Sequence, residues 1–185
     1  MATIANNLAN MNTTAYKSEA MLFEQYLMPD ASEQSIDKQI TFVQDVGQHR
    51  DMRDGALQTT GNPFDVAIAG EGFFRVETEN GGLYTRNGNF SLNAEGQLVS
   101  LTGYEVEPAI VVPELTRQVE ISQTGVVMAY VENDPNPVQL GQLTIATFVN
   151  EAGMQPIGDN LMEETTASGE AIQSNPGDEG VGVLQ

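Results

Sequence analysis

Carboxylates are the only side chains of this sequence that are numerous enough to suggest catalysis. Aspartate and glutamate make up 26 of the 185 residues, and close pairs occur at Glu77 with Glu79 and at Glu163 with Glu164. Acid–base hydrolysis of a glycosidic bond needs two carboxyl groups held across a cleft, one of them with a raised pKa. Because chance pairs are inevitable at this density, we interpret both pairs as solvated strand and loop faces. The sequence therefore does not predict an enzyme.

Other catalytic and cofactor-binding patterns are also missing from the sequence. It has no cysteine, which excludes disulfides, thiolate zinc sites and cysteine nucleophiles. The single histidine, His49, has charged neighbours and is typical of a solvated surface residue. Gly70–Gly72 precedes a predicted strand rather than a helix, so it is no phosphate-binding loop. Residues 133–136 and 175–180 lack the ligand spacing of a calcium loop. We expect no cofactor, no metal and no small-molecule substrate.

The charge balance excludes two classes of partner. Seven Lys and Arg against 26 Asp and Glu give a net charge of −19. Nucleic-acid binding needs cations to neutralise phosphates, and anionic membrane surfaces repel such a chain. No apolar run approaches the length of a membrane span, so we expect no membrane insertion. Any polymer of this chain must screen or pair its charge.

The beginning of the sequence carries no signal-peptide pattern. Residues 1–7 have neither a basic region nor an apolar region of the kind that a cleavable signal peptide contains. Taken alone, this pattern indicates the cytosol. It equally fits export by a route that uses no cleavable signal peptide.

Residues 1–28 are predicted to be helical. Two sets of residues follow helical spacing, the first 3-4-3 and the second 4-3-4: Met1, Ile4, Leu8 and Met11, then Tyr16, Ala20, Phe23 and Leu27. Pro29-Asp30 ends the pattern. The helix could pack on its own domain, but nothing later in the sequence offers a matching helix. We favour a helix whose partners lie on other chains.

The rest of the chain divides into a polar segment and a β domain. Residues 29–58 are weakly periodic and are predicted to form an extended or irregular linker, with a short strand possible at Ile40–Val43. Residues 59–185 show short alternating runs separated by turn signals, which is typical of an antiparallel β sandwich or open barrel. The fold class is therefore mainly β with an N-terminal α-helical segment.

Two turns in the β domain are structural predictions. Asn87-Gly88 lies between two strand-like runs, which predicts a type I′ hairpin turn. Gly61, Asn62 and Pro63 are expected to form a turn that delivers Phe64 to the core. Four aromatic residues are predicted to be core residues without a ligand-binding role: Phe73, Phe74, Tyr84 and Phe90.

Ordered sequence blocks resemble the flagellar rod and hook axial proteins of bacteria. The blocks cover nearly the whole chain and keep the family's order: Ala5–Asn10, Asn12–Lys17, Thr60–Ile68, Gly70–Phe74, Tyr84–Phe90, Gly96–Val99 and Gly103-Tyr104. The later blocks Gly141–Phe148, Gly158–Leu161 and Ser174–Gly177 are similar to the distal rod members. The stretch Thr41–Asp45, with Arg50-Asp51 and Arg53–Gly55, is more similar to proximal rod members, so both remain open.

The resemblance implies a structural subunit of the flagellar basal-body rod, which self-assembles into the axial drive shaft for motility. In that family terminal helices pair in a coiled-coil layer around the axial channel, and the β domain forms the outer wall. The implied partners are copies of the chain itself, other axial proteins of the rod and hook, and the surrounding ring proteins. The implied location is the periplasmic rod, reached through type III export without a cleavable signal peptide. A hook-type axial protein is an alternative within the family.

Three departures from the family pattern are visible. Ala15 stands where the family usually has glycine. The family's leading helical residues and its C-terminal helix have no counterpart in this sequence, so we expect an almost entire β wall with a stub of the helical layer.

The first helix carries the predicted self-assembly interface. Ile4, Leu8 and Met11 would contact neighbouring helices, and three asparagines would supply amide hydrogen bonds that fix register: Asn6, Asn7 and Asn10. The alternative is that these residues cap and pack a local helix.

Two functions of other classes remain open from the sequence. A secreted β domain that binds glycans or matrix would need exposed aromatic residues, but the chain has no tryptophan and only 6% aromatic residues. A hydrolase would need one of the acidic pairs to act as its catalytic dyad.

Overall fold

A computed structural model describes residues 2–11, 13, 15–28, 40–50, 55–79, 81–132 and 135–185. The chain forms two compact units, Met1–Arg53 and Asp54–Gln185, called here the N-terminal unit and the β unit. Met1 and the Pro29-Asp30 helix stop of the sequence prediction lie outside the described residues.

The described residues of the N-terminal unit form one helix and two strands. Helix α1 spans Ala2–Ala9, strand β1 spans Glu19–Met28 and strand β2 spans Ile40–Arg50. The two strands are antiparallel, and their register shifts between Leu22 and Phe23. Ala15, in the turn between α1 and β1, has φ of 60°. The chain therefore adopts the left-handed conformation at the position where the family usually has glycine.

The predicted helix over residues 1–28 is wrong beyond its first third. Phe23 and Leu27 are four residues apart, a spacing that fits one face of a helix and equally one face of a strand. The chain resolves this ambiguity by pairing residues 19–28 with β2, whose Ile-Thr-Phe-Val segment favours strands. The short strand expected at Ile40–Val43 is the beginning of β2, which continues to Arg50.

The β unit holds fourteen strands and one short 3-10 helix, Glu151–Gly153, among its described residues. The strands are β3 Ile68–Ala69, β4 Phe74–Thr78, β5 Gly81–Thr85, β6 Phe90–Leu92, β7 Leu98–Ser100, β8 Glu105–Glu107, β9 Thr116–Ile121, β10 Val126–Val131, β11 Val138–Gln142, β12 Ile145–Thr147, β13 Gln155–Gly158, β14 Leu161–Glu163, β15 Ile172–Ser174 and β16 Val183–Leu184.

These strands form four sheets, and within the described part of the chain all of their pairings are antiparallel. The largest has the order β13-β14-β5-β4-β8-β7-β6, and a three-stranded sheet has the order β11-β10-β9. Strands β12 and β15 form one two-stranded sheet, and β16 and β3 form another. The prediction of a mainly β, antiparallel fold with an N-terminal helix is confirmed.

Alternation along the strands builds the core of the β unit. In β4, Phe74 and Val76 are fully buried, whereas Arg75 and Glu77 lie on the other face. The core contains buried side chains from the large sheet and from the three-stranded sheet: Phe74, Val76, Phe90, Leu98, Val106, Val119 and Val127. Leu184 of β16 is also buried there, where β16 pairs with β3. Residues 68–69 and 183–184 therefore close one side of the core.

The hairpin predicted at Asn87-Gly88 is wrong. Strand β5 pairs with β4 and β14, and β6 pairs with β7, so the two flanking strands are not neighbours. Neither Asn87 nor Gly88 has the positive φ that a type I′ turn requires. Gly88 instead accepts a hydrogen bond at its carbonyl oxygen from the Val66 amide at 2.9 Å. The segment carries the chain across the sheet, and the glycine permits close contact with residues 64–66.

Residues 61–65 form a tight turn before the core. Gly61 has φ of 80°, and the Asp65 amide donates to the Asn62 carbonyl oxygen at 3.1 Å. The Asn62 side-chain amide donates to the Asp65 carboxylate at 2.8 Å. Phe64 packs against the core as a partly buried residue. These contacts turn the chain at Phe64.

Among the described residues, no helix has both the length and the apolar character needed to cross a membrane.

Candidate assembly surfaces

Helix α1 presents one exposed apolar face. Ile4, Leu8 and Met11 are 67%, 68% and 69% exposed. Ile4 and Leu8 are one turn apart on one side of α1, and Met11 lies in the turn directly after the helix. These three residues are called here the apolar stripe. Their side chains are exposed, although large apolar side chains are ordinarily buried in a globular fold.

Two of the helix asparagines make local hydrogen bonds. The Asn10 side-chain amide donates to the Asn6 carbonyl oxygen at 3.0 Å, which caps the end of the helix. The Tyr16 hydroxyl donates to the Asn7 side-chain oxygen at 2.9 Å. Asn6 has an exposed side chain. The local bonds of Asn7 and Asn10 match the capping alternative for those two residues and hold the turn after α1 in place.

The negative charge is concentrated in the β unit. Residues 54–185 contain 19 acidic residues and three arginines, a net charge of −16. Each arginine already forms an ion pair inside the unit: Arg75 with Glu107 at 2.9 Å, Arg86 with Glu151 at 3.6 Å and Arg117 with Glu132 at 2.7 Å. Contacts between β units of different copies therefore lack spare cations with which to offset carboxylate repulsion.

A second aromatic cluster lies apart from the main core. The Phe148 ring packs edge-on against Phe73 and Tyr84, with centroid distances of 5.8 and 4.8 Å. The Arg86 guanidinium lies over the Phe73 ring, 5.2 Å from its centroid. The Tyr84 hydroxyl donates to the Glu164 carboxylate at 3.2 Å. Burial, together with the Glu164 carboxylate, raises the pKa of Tyr84 to about 12.

The sequence predicts that four aromatic residues lie in the core. Phe73, Phe74, Tyr84 and Phe90 are each at most 4% exposed. A tyrosine with a raised pKa stays protonated at neutral pH and donates its hydrogen bond, which here joins β5 to the segment after β14. The cluster therefore has a packing role.

The two acidic pairs that the sequence analysis interprets as solvated, Glu77 with Glu79 and Glu163 with Glu164, are exposed. Glu77 is 3.8 Å from Arg75 and its side chain is 54% exposed. Glu164, the acceptor for Tyr84, is also exposed. Within the part of the chain that the structure describes, no group of three or more His, Asp or Glu residues is placed to hold a metal ion.

The structure also contains a groove that the sequence did not reveal. It has a volume of about 550 Å³ and lies between strand β9 and the Leu92–Gly96 turn. Pro63, Phe64 and Val112 complete its apolar wall. Residues from three separate parts of the β unit meet there, and no local sequence pattern signals that meeting.

Two family models match this chain. The model described as the flagellar hook protein FlgE/F/G D1 domain matches residues 67–129, within the β unit. The model described as the flagella basal body rod protein matches residues 1–17, which include α1 and the following turn. The exposed helix and the antiparallel β unit, with these matches, define an axial protein of the bacterial flagellum.

Curated relatives give the finer assignment. The flagellar basal-body rod protein FlgG of Agrobacterium fabrum is 38% identical, over 98% of this chain and 74% of that protein. FlgG of Caulobacter vibrioides is 39% identical over the same shares. The basal-body rod protein FlgF of Caulobacter vibrioides is 30% identical, over 88% of this chain and 66% of that protein. The chain belongs to the flagellar basal-body rod protein family, and its similarity to FlgG favours the distal rod.

Membership in this family gives the general function and location. The chain is a structural subunit of the flagellar basal-body rod, and it functions in the flagellum. This function is favoured over that of a hook-type axial protein and over glycan binding.

Proposed function

We propose that this subunit polymerises through the apolar stripe of α1 and, in the polymer, transmits torque without any catalytic step. The observation that carries the proposal is the exposure of Ile4 and Leu8 on one face of α1 and of Met11 directly after it. In the polymer this face contacts helices of neighbouring subunits in a coiled-coil layer.

The energetics favour assembly over an isolated helix. Burying one large aliphatic side chain contributes about 1.5–3 kcal/mol. A helix of eight residues is marginal alone, because nucleation fixes several residues for one hydrogen bond. Contact with neighbouring helices therefore stabilises α1 as well as the polymer. Asn6 has an exposed amide that can bond across the interface, whereas Asn7 and Asn10 shape the helix end.

We assign the remaining parts of the chain on the same basis. Helix α1 belongs to the inner contact layer, strands β1 and β2 connect it, and residues 59–185 form the outer wall. The partners are further copies of the chain, other axial proteins of the rod and hook, and the ring proteins that surround them. We propose that the polymer lies in the periplasmic part of the basal body.

The proposal is tested by replacing Leu8 with aspartate. Leu8→Asp places a charge in the centre of the stripe, where burial in an apolar interface is costly. We expect loss of polymers in electron micrographs and loss of motility in a strain that depends on this gene. The β unit should keep its unfolding transition, because Leu8 lies in the other unit.

The matched control is Ala9→Asp. It adds the same charge one residue later, at an exposed position that lies off the stripe, near the same end of α1. We expect assembly to persist in this variant. Normal swimming by Leu8→Asp, or equal loss in both variants, would contradict the stripe as the interface.

A further inference from the structure

Strand β9 has a free edge. Among the described residues β9 pairs with β10 alone, and β10 lies between β9 and β11. The Ser122 amide donates to the Val126 carbonyl oxygen at 2.9 Å, which sets the phase of the ladder. Since hydrogen-bonded residues alternate in an antiparallel pair, Glu120 and Gln118 bond toward β10. The amide and carbonyl groups of Val119 and Ile121 therefore point to the open side.

The groove described above is lined by the first part of β9, residues 116–119. Arg117, Gln118 and Val119 of β9 form one wall, and Leu92 and Val112 belong to the other. An extended peptide placed here could continue the ladder of β9 and bury an apolar side chain against the opposite wall. Such strand addition obtains affinity from main-chain hydrogen bonds and specificity from alternate side chains.

A segment with the properties of such a peptide lies in the same unit. Residues 55–61, Gly-Ala-Leu-Gln-Thr-Thr-Gly, are all exposed and form no helix or strand. Their backbone groups make no hydrogen bond to any part of the chain that the structure describes. Leu57 is 52% exposed. We call residues 55–61 the neutral segment, since it contains no charged residue.

Charge favours this segment as the contact between two copies. Each β unit has a net charge of −16, and its three arginines are already in ion pairs. Like charges brought together in an interface cost energy, so copies meet most favourably through uncharged stretches. The groove itself contains Glu95 and Glu114 with Arg117, which disfavours an acidic strand but accepts a neutral one.

We propose that the neutral segment of one subunit adds as a strand to the free edge of β9 in a neighbouring subunit, with Leu57 against the apolar wall of the groove. This contact between β units rests on the proposed self-assembly and adds to it a second interface, independent of α1. In the added strand, the side chains of Leu57 and Thr59 face the groove, and that of Gln58 faces outward.

Disulfide trapping tests the contact directly. The sequence has no cysteine, so a disulfide can form only between introduced residues. Full-length chains carrying Leu57→Cys are mixed with isotopically labelled chains carrying Gln118→Cys and are oxidised gently. We expect mixed disulfide dimers, identified by mass spectrometry of the linked peptides.

The matched control uses the other edge of the same sheet. Gln139→Cys places a thiol on β11, which is also an exposed edge strand. We expect several-fold more linkage of Leu57→Cys to Gln118→Cys than to Gln139→Cys. Equal linkage to both edges, or to neither, would overturn the proposal. A monomeric internal disulfide in the double variant Leu57→Cys with Gln118→Cys, in place of mixed dimers, would show docking within one chain and would also overturn it.

Proline variants test whether main-chain hydrogen bonds carry the contact. Gln58→Pro and Thr59→Pro each remove one backbone donor from the neutral segment. Neither donor is used within the described fold, so both variants should fold normally. Adjacent donors point to opposite sides of a strand, and we expect one variant to lose the mixed linkage while the other retains most of it. Retention of linkage in both variants would exclude strand addition.

The background variant separates this inference from the stripe proposal. In chains that also carry Leu8→Asp, we expect the linkage between Leu57→Cys and Gln118→Cys to persist at high protein concentration. Linkage that disappears only in this background would show that the β9 contact depends on α1, and so is not independent. Polymers that form normally without the linkage would contradict the strand contact and would not contradict the stripe as an interface.

Discussion

At the scale of single residues, Gly88 shows how a turn signal can have a different physical cause. A side chain at this position would overlap the Val66 carbonyl oxygen and lie 3.1 Å from the Phe74 ring. The glycine is needed for close backbone approach rather than for a left-handed conformation. Asn-Gly predicts a hairpin because a type I′ turn needs positive φ at both residues. Close backbone approach also requires glycine, so the sequence alone does not distinguish the two causes.

Gly88→Ala is therefore expected to destabilise the β unit. The added methyl group must displace either the 64–66 segment or Phe74, and overpacking of this kind costs about 1–3 kcal/mol. Urea unfolding followed by tyrosine fluorescence should show a lower midpoint with an unchanged slope. Gly55→Ala is the control, since nothing lies within 4 Å of that position. A Gly88 variant as stable as the Gly55 variant would contradict the close packing at Val66.

At the scale of elements, the turn between α1 and β1 decides where the helix ends. Asn10 caps the helix, the Tyr16 hydroxyl bonds to Asn7, and Ala15 adopts φ of 60°. The left-handed region costs a residue with a Cβ atom roughly 1–2 kcal/mol. The local hydrogen bonds must offset this cost, so the turn is strained at one residue and fastened at its neighbours.

Ala15→Gly is expected to stabilise this turn by about 1 kcal/mol, because glycine adopts positive φ without a Cβ clash. Native-state amide hydrogen exchange of residues 2–18 should become slower. Ala5→Gly is the control within α1 and should accelerate exchange, since glycine in a helix costs about 0.5–1 kcal/mol. Faster exchange in both variants would argue against the left-handed conformation at Ala15.

At the scale of the whole molecule, charge opposes assembly. The net charge of −19 repels copies of the chain from one another, and 16 units of that excess lie in the β unit. The Debye length falls from about 30 Å at 0.01 M salt to about 8 Å at 0.15 M. Screening should therefore strengthen contacts between copies without changing the contacts themselves.

Self-association should increase between ionic strengths of about 0.01 M and about 0.15 M. Sedimentation velocity of the full chain should show larger species at the higher salt concentration. Leu8→Asp serves as the control, because it lacks the stripe and should remain monomeric or weakly associated in both buffers. Association that weakens with salt would indicate that ion pairs between copies, rather than apolar contacts, hold the polymer together.

Much of the β unit could be predicted because its signals are local. The turn glycines Gly96, Gly103 and Gly125 all have positive φ, as turns at those positions require. The short runs between turn signals form strands of antiparallel sheets, and the four aromatic residues expected in the core are buried. The helix predicted at the beginning of the sequence is present over Ala2–Ala9, where Ile4 and Leu8 are exposed.

The sequence by itself determined the class of fold, the acidic surface, the helix at its beginning and, through its ordered blocks, the rod family. Only the tertiary structure decided that residues 19–28 form a strand, that Asn87-Gly88 crosses a sheet, and that β9 has an open edge beside a groove. The reason is physical: turns and alternation depend on neighbours along the chain. Strand partners and sheet edges depend on hydrogen bonds between residues far apart in sequence, and no local pattern encodes those bonds.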